Sequence, residues 1–219
     1  MHRRLPWTLL VAGLAGFVVL ALAYDHATLS GLDRDVARWV STDLPGWVVD
    51  VARPFSWLGG WIGLTALGVV VVAALLRERA WIDLVFFLLA VVGSQLGVAL
   101  LKAAFERPRP DAGSAVPLPD SFAFPSGHAA AGAASFAAAA VLVAERLPSA
   151  RARAWLWVGV IVLGIGIGLS RIALGVHYVT DVLAGWCIGL AWLAACLLLR
   201  DALRDAAGPG RRSGEDTAA

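Results

Sequence analysis

Six apolar runs, near residues 6 to 24, 57 to 76, 80 to 101, 128 to 145, 154 to 172 and 179 to 199, constrain this 219-residue chain more than any other feature. Each approaches the roughly 20 residues that cross about 30 Å of hydrocarbon at about 1.5 Å per residue. A backbone in hydrocarbon must satisfy its own polar groups, so such runs form helices. The expectation is an all-α polytopic bundle of six transmembrane helices. Composition agrees: 59% of the residues are hydrophobic and 16% charged, with a mean hydropathy of +0.76. Disorder is excluded by the same figures. A net charge of +2, with no basic stretch interleaved with aromatics, argues against a nucleic-acid partner. Cys187 and Cys196 lie inside one apolar run and read as small core hydrophobes, not as a disulfide framework or a zinc site.

Orientation follows from the Lys and Arg bias of the connections. Arg3 and Arg4 precede the first run, Arg77 and Arg79 separate the second and third, and Arg146, Arg151 and Arg153 separate the fourth and fifth. Arg200, Arg204, Arg211 and Arg212 follow the sixth. Alternating spans put all these groups on one side, so both termini are expected in the cytoplasm of a multi-pass cell-membrane protein. One membrane domain over residues 1–204 and a flexible cytoplasmic tail over 205–219 complete the layout. The first run also has the look of a signal peptide, with Arg3-Arg4 ahead of it and Ala21-Leu22-Ala23 as a small-x-small site; its length favours a span. The outer connection, 25–56, mixes Asp33, Arg34, Asp35 and Arg38 with Val36, Trp39, Val40, Trp47, Val48 and Val51. That pattern predicts an amphipathic helix at the membrane interface, broken at Pro45-Gly46.

The unusual polar residues gather at one end of the spans. Lys102, the only lysine, closes the third span on the outer side, His128 opens the fourth, Arg171 ends the fifth, and His177 and Asp181 open the sixth. One ionisable group at a span end usually snorkels, but five on one face are the composition of a phosphate-handling site. In Pro125-Ser126-Gly127-His128, Ser126 is expected to cap a helix whose first N–H groups, at Gly127 and His128, bind an anion. His177 and Asp181 are spaced i, i+4, so on a helix the carboxylate takes one imidazole N–H and leaves the other nitrogen as a nucleophile or base. Pro108 and Pro110 force the chain out of the helix and can fold Arg109 back over Lys102; the alternative leaves Arg107 and Arg109 as solvated loop charges. Asp111, Asp120 and Asp181 are too separated for a magnesium cage, so metal-independent chemistry without a cofactor is expected.

Lys102-x6-Arg109-Pro110, Pro125-Ser126-Gly127-His128 and Ser170-Arg171-x5-His177-x3-Asp181 resemble, in order and complete, the three-part signature of the type 2 phosphatidic acid phosphatase superfamily, which also holds vanadium haloperoxidases and bacterial acid phosphatases. The resemblance implies a phosphohistidine mechanism: His177 attacks phosphorus, Asp181 orients it, and His128 protonates the leaving oxygen and then activates water. It implies that Lys102, Arg109, Arg171, Ser126 and the Gly127 amide hold the phosphoryl oxygens, with no metal. Arg107 falls outside the signature and receives no role.

The expected function is therefore hydrolysis of a phosphomonoester or pyrophosphate on a membrane lipid at the outer face. Undecaprenyl pyrophosphate, phosphatidic acid and phosphatidylglycerol phosphate are the candidates that the resemblance implies. Arginine outnumbers lysine 17 to one, a GC-rich bacterial usage that leans towards the polyprenyl substrate. A haloperoxidase, a lipid phosphotransferase sharing the site and a non-enzymatic lipid transporter are the rivals, and spacing leaves the lipid and the oligomeric state open. Gly164-Ile-Gly-Ile-Gly168 and Gly185-x3-Gly189 read as close helix contacts, not as nucleotide loops.

Overall fold

The computed structural model describes residues 4–208. Arg3, Arg211, Arg212 and all but the start of the expected tail lie outside them. Every regular element among the described residues is helical: α1 (Arg4–Ala23), α2 (Ala27–Thr42), α3 (Gly46–Gly59), α4 (Trp61–Arg77), α5 (Trp81–Leu88), α6 (Ser94–Phe105), α7 (Gly127–Ala144), α8 (Ala150–Ala173) and α9 (Val179–Ala207). Helices α1, α5–α6, α7, α8 and α9 are each long and apolar enough to cross a membrane, and the bent pair α3–α4 supplies a sixth span. Large apolar side chains cover the outside of the bundle: Leu22 is 82% exposed and Leu100 74%. Together with the span lengths, a belt of this kind belongs to a multi-pass membrane protein whose outer surface meets lipid.

Three run boundaries differ from the apolar pattern, each for a local reason. The run 57 to 76 is not one helix, because α3 and α4 meet at 45°. Gly60 between them has extended backbone (ψ 179°) through which no helix continues. Gly59 brings α3 onto α8, since a Cβ there would lie 2.3 Å from Ile167 Cγ2. In the third span a π-helical turn at Leu89–Gly93 joins α5 to α6. Trp192 of α9 fills the space beside Gly93 and donates its indole N–H to the Leu89 carbonyl at 2.9 Å. The sixth helix continues to Ala207, so residues 205–207 belong to α9 and not to the tail.

Helix α7 is the hub of the bundle, packed against α6, α8 and α9. Alanines at 129–131, 134 and 137–140 are buried along it, and small side chains let neighbouring backbones come close. The facing glycines of α9 use that room: a Cβ at Gly185 would meet Ser126 O at 2.6 Å, and one at Gly189 would meet Ala130 O at 2.5 Å. Gly166 and Gly168 of α8 likewise lie against Phe55 and Trp186, whereas Gly164 has open space. Cys196 is buried in the core and the half-buried Cys187 packs on Gly16 of α1; both are free thiols.

The end away from His128 and His177 is closed by ion pairs. Arg200, 2% exposed, grips Glu145, the residue that follows α7, through both terminal nitrogens (2.7 and 2.8 Å) and donates Nε–H to Asp83 of α5 at 2.8 Å. Arg200 is thus a buried clamp, not a loop cation as its place in the charge bias suggested. The helix contacts generate a paired expectation. Gly189→Ala forces the α7 and α9 backbones apart and costs about 1–3 kcal/mol. Gly97→Ala, where a Cβ meets nothing within 4 Å, is neutral or slightly stabilising. Thermal denaturation of the two variants in detergent checks this, and equal melting temperatures would contradict the packing account.

Candidate active site

The C-terminal ends of α6 and α8 and the N-terminal ends of α7 and α9 converge, and the sequence explains how each delivers its side chain. Helix α6 stops at Glu106, which takes a left-handed conformation (φ +48°). Pro108 and Pro110 then keep the chain out of a helix, and the two arginines take different partners: Arg107 bonds Asp33 and Asp181, Arg109 bonds Ser121 and Val176. Arg109 turns towards the site: Nε donates to Ser121 O at 2.8 Å, Nη2 to Ser121 Oγ at 3.1 Å and Nη1 to Val176 O at 2.7 Å. Lys102 Nζ donates to Phe122 O beside it.

Helix α8 ends in a paired turn that sets the spacing of Arg171 and His177. Gly175 N–H bonds to Ile172 O at 2.8 Å and Val176 N–H to Arg171 O at 3.2 Å. This turn requires a left-handed residue, and Gly175 has φ +70°. A Cβ at Gly175 would also meet Gly113 O at 2.5 Å, so no other residue fits there. Arg171 is buried at the helix end and donates to Ser56 Oγ of α3, while its Nε has no partner.

His177 precedes α9 by two residues, so it does not share a helix face with Asp181. Instead Asp181, on the first turn of α9, reaches back over the helix start. Its Oδ2 accepts the Tyr178 N–H at 2.9 Å and faces His177 Nδ1 at 3.2 Å. The other ring nitrogen lies 3.3 Å from Arg109 Nη1. A guanidinium only donates, so Nε2 is the lone-pair nitrogen and Nδ1 carries the proton. The tautomer is fixed from both sides.

Ser126 stands at the start of α7 as expected, but its side chain does not cap the helix. Its N–H donates to Asp181 O at 2.9 Å, and its fully buried hydroxyl has no partner. Gly127 and His128 open the helix, whose first amides have no intrahelical acceptor. His128 lies under the α3–α4 bend, where a Cβ on Gly60 would be 3.3 Å from its Nε2.

A cavity of about 370 Å³ is lined by Lys102, Arg109, Gly127, His128, Arg171 and His177 together with the apolar Trp61, Leu64 and Val98. Asp181 and Ser126 stand behind this wall. A second cavity of about 460 Å³, lined by Arg53, Ser56 and Trp57, meets the first at His128 and Arg171. The arrangement presents three cations and a helix N-terminus to one small volume, with an oriented imidazole at its edge, and can bind and attack a phosphoryl group.

Two residues were missed by the sequence reading. Arg107 is no solvated loop charge: it is 8% exposed and bonds Asp181 Oδ1 at 2.6 Å and Asp33 Oδ2 at 2.8 Å. Asp33 is the buried residue of α2, set among partly buried Leu29, Val36 and Val40. A charge placed on an apolar helical stripe was the signal available.

Burial lowers the pKa of His177 to about 4, against the opposing pull of the Asp181 hydrogen bond and charge. The neutral ring therefore persists through the neutral range and well below the usual imidazole value. ¹⁵N spectra of histidine-labelled protein at about pH 5.5 are expected to show His177 neutral with the proton on Nδ1. An imidazolium there, or an Nε2–H tautomer, would contradict the geometry.

Comparison with known proteins agrees with this picture. The PAP2 superfamily profile matches residues 83–205. A phosphatidylglycerophosphatase B of Bacillus subtilis (strain 168) is 30% identical over 175 residues, which cover 80% of this chain and 86% of that protein. The crystal structure of a transmembrane PAP2-type phosphatidylglycerolphosphate phosphatase from Bacillus subtilis superposes with a TM-score of 0.80 at 27% identity, covering 96% of this chain and all of that one. From span layout to the ordered motifs at the converging helix ends, the chain belongs to the PAP2 superfamily.

Proposed function

We propose that this membrane phosphatase removes the terminal phosphate of phosphatidylglycerophosphate at the outer face of the cell membrane, through a phosphohistidine on His177. The observation that carries the reading is the His177 ring, with Nδ1 directed to Asp181 and the Nε2 lone pair turned to a cation-lined cavity. The Bacillus subtilis phosphatidylglycerophosphatase, matched in sequence and in crystal structure, favours this lipid over the polyprenyl pyrophosphate suggested by arginine usage. The outer location rests on the arginine distribution: Arg77, Arg79, Arg146, Arg151, Arg153, Arg200 and Arg204 flank the opposite helix ends.

In the first step the phosphate enters between Lys102, Arg109 and Arg171 and draws Arg109 off Nε2. The Nε2 pair forms a bond to phosphorus as the P–O bond to the lipid glycerol breaks, and His128 gives its proton to the departing oxygen. Charge gathering on the three remaining phosphoryl oxygens is met by the cations and the Gly127 amide. In the second step a water loses its proton to His128 and attacks phosphorus. The P–N bond breaks and its electrons return to Nε2. Asp181 keeps the Nδ1 proton through both steps and stabilises the ring while phosphorus is attached.

Phosphate release from detergent-purified protein, with excess chelator, tests the assignment on phosphatidylglycerophosphate, phosphatidic acid and undecaprenyl pyrophosphate. Phosphatidylglycerophosphate is expected to give the highest kcat/KM, unaffected by chelator and abolished in His177→Ala. Loss of His128 is expected to slow turnover by about 10²- to 10⁴-fold. Activity that needs added metal, survives in His177→Ala, or ranks the polyprenyl substrate first would overturn the corresponding part.

A further inference from the structure

Arg107 is deeply engaged, yet no step of the proposed reaction uses it. Its Nη2 donates to Asp33 Oδ2 at 2.8 Å, and its Nη1 donates to Asp181 Oδ1 at 2.6 Å and Thr180 Oγ1 at 2.7 Å. The rings of Tyr24 and Tyr178 flank the guanidinium, with centroids 4.7 and 4.4 Å from Cζ. Asp33, 1% exposed, accepts the Thr180 N–H at 3.1 Å, and the Thr180 hydroxyl donates to it as well. One guanidinium thus ties α2, the α6–α7 connection and the first turn of α9 into a closed ring. Burial alone would disfavour its charge, but Asp181 and Asp33 outweigh that and raise its pKa.

The position of this ring matters for the imidazole. Asp181 Oδ2 faces His177 Nδ1, so rotation of the carboxylate carries the histidine ring with it. Among the described residues, Arg107 is the hydrogen-bond donor to the other oxygen, Oδ1. We propose that Arg107, itself held by Asp33, is the positioning residue of the reaction: it locks Asp181 so that His177 presents Nε2 to phosphorus. The proposal rests on the reading of His177 as nucleophile. Only a planar fork can bridge two carboxylates in this way, which makes lysine a poor substitute.

The charges around the ring give the test its discriminating readout. Asp181 faces Arg107 and His177 directly, with Lys102 of α6 and Arg109 of the α6–α7 connection acting at longer range. Arg107 faces Asp33 of α2 and the two phenols, which Asp25 and Asp111 influence in turn. His128 of α7 acts on His177 from the cavity side. Without Arg107, Asp33 and Asp181 are like charges joined through Thr180, and such a pair retains a proton to higher pH. A proton on Asp181 ends its service as acceptor.

Kinetics of Arg107→Gln, Asp33→Asn and the double variant on phosphatidylglycerophosphate test this. Arg107→Gln is expected to lose about 10²-fold in kcat, with KM within about threefold. Its acid limb of kcat should move up by about one pH unit. In the double variant no second carboxylate competes for the proton, so the acid limb returns to its wild-type position. Should Arg107→Gln fail to fold, Arg107→Lys keeps a charge but reaches only one carboxylate, and about a 10-fold kcat loss with an unmoved limb is expected. Wild-type kcat in whichever Arg107 variant folds, or a kcat loss in Arg107→Gln with an unshifted pH profile, overturns the proposal alone. Turnover that survives in His177→Ala removes the nucleophile reading and the proposal with it.

Discussion

Everything at the site end of this bundle depends on the contacts made by one buried carboxylate. Asp181 holds His177 by one oxygen and is held by Arg107 through the other, while its backbone carbonyl receives the Ser126 amide at the start of α7. A carboxylate in such a place is costly unless each lone pair finds a donor, and here hydrogen bonds from separate elements meet that demand. Because those donors come from an inter-helix connection and a turn before α9, the same contacts that solvate the charge fix the helix ends around the site against each other. Stability and site geometry therefore share their parts.

The rest of the bundle makes that convergence possible. Four helix ends can meet around a cavity of about 370 Å³ only if their axes run close, and the alanines of α7 with Gly185 and Gly189 of α9 provide the closeness. Small residues serve this purpose in a membrane, where burial of apolar surface gives little preference for one helix partner over another. The π turn at Leu89–Gly93 lets Trp192 reach the main-chain carbonyl of Leu89. At the far end the Arg200 clamp on Asp83 and Glu145 secures α5, α7 and α9, so the site end can hold fixed polar groups around an open cavity. The bend at Gly60 brings the α3–α4 junction over His128 and gives the cavity an apolar wall beside its cations.

Much of this was legible in the chain. The spans were, because hydrocarbon thickness and backbone satisfaction leave little choice of structure. So were Lys102, Arg109, His128, Arg171 and His177, because charged groups at several span ends on one side demand a common purpose. What the sequence hid is tertiary. Asp33 lies in a run with Arg34, Asp35 and Arg38 that resembles a solvated face, and its partner Arg107 is 74 residues away. Spacing put His177 and Asp181 on one face only if a helix had already begun at His177; it begins after that residue, and the contact is a reach across its first turn. Ser126 was assigned a cap by its position; its hydroxyl is buried without a partner and does not cap the helix.

The central claim is that His177 Nε2 forms a covalent bond to phosphorus, and rapid quenching with phosphate-labelled phosphatidylglycerophosphate tests it most directly. The account predicts a phosphoryl group that appears on the protein before product phosphate, withstands alkali, is lost in acid, and maps by mass spectrometry to His177. Full turnover with no labelled protein at any time point, or label on another residue, would contradict it.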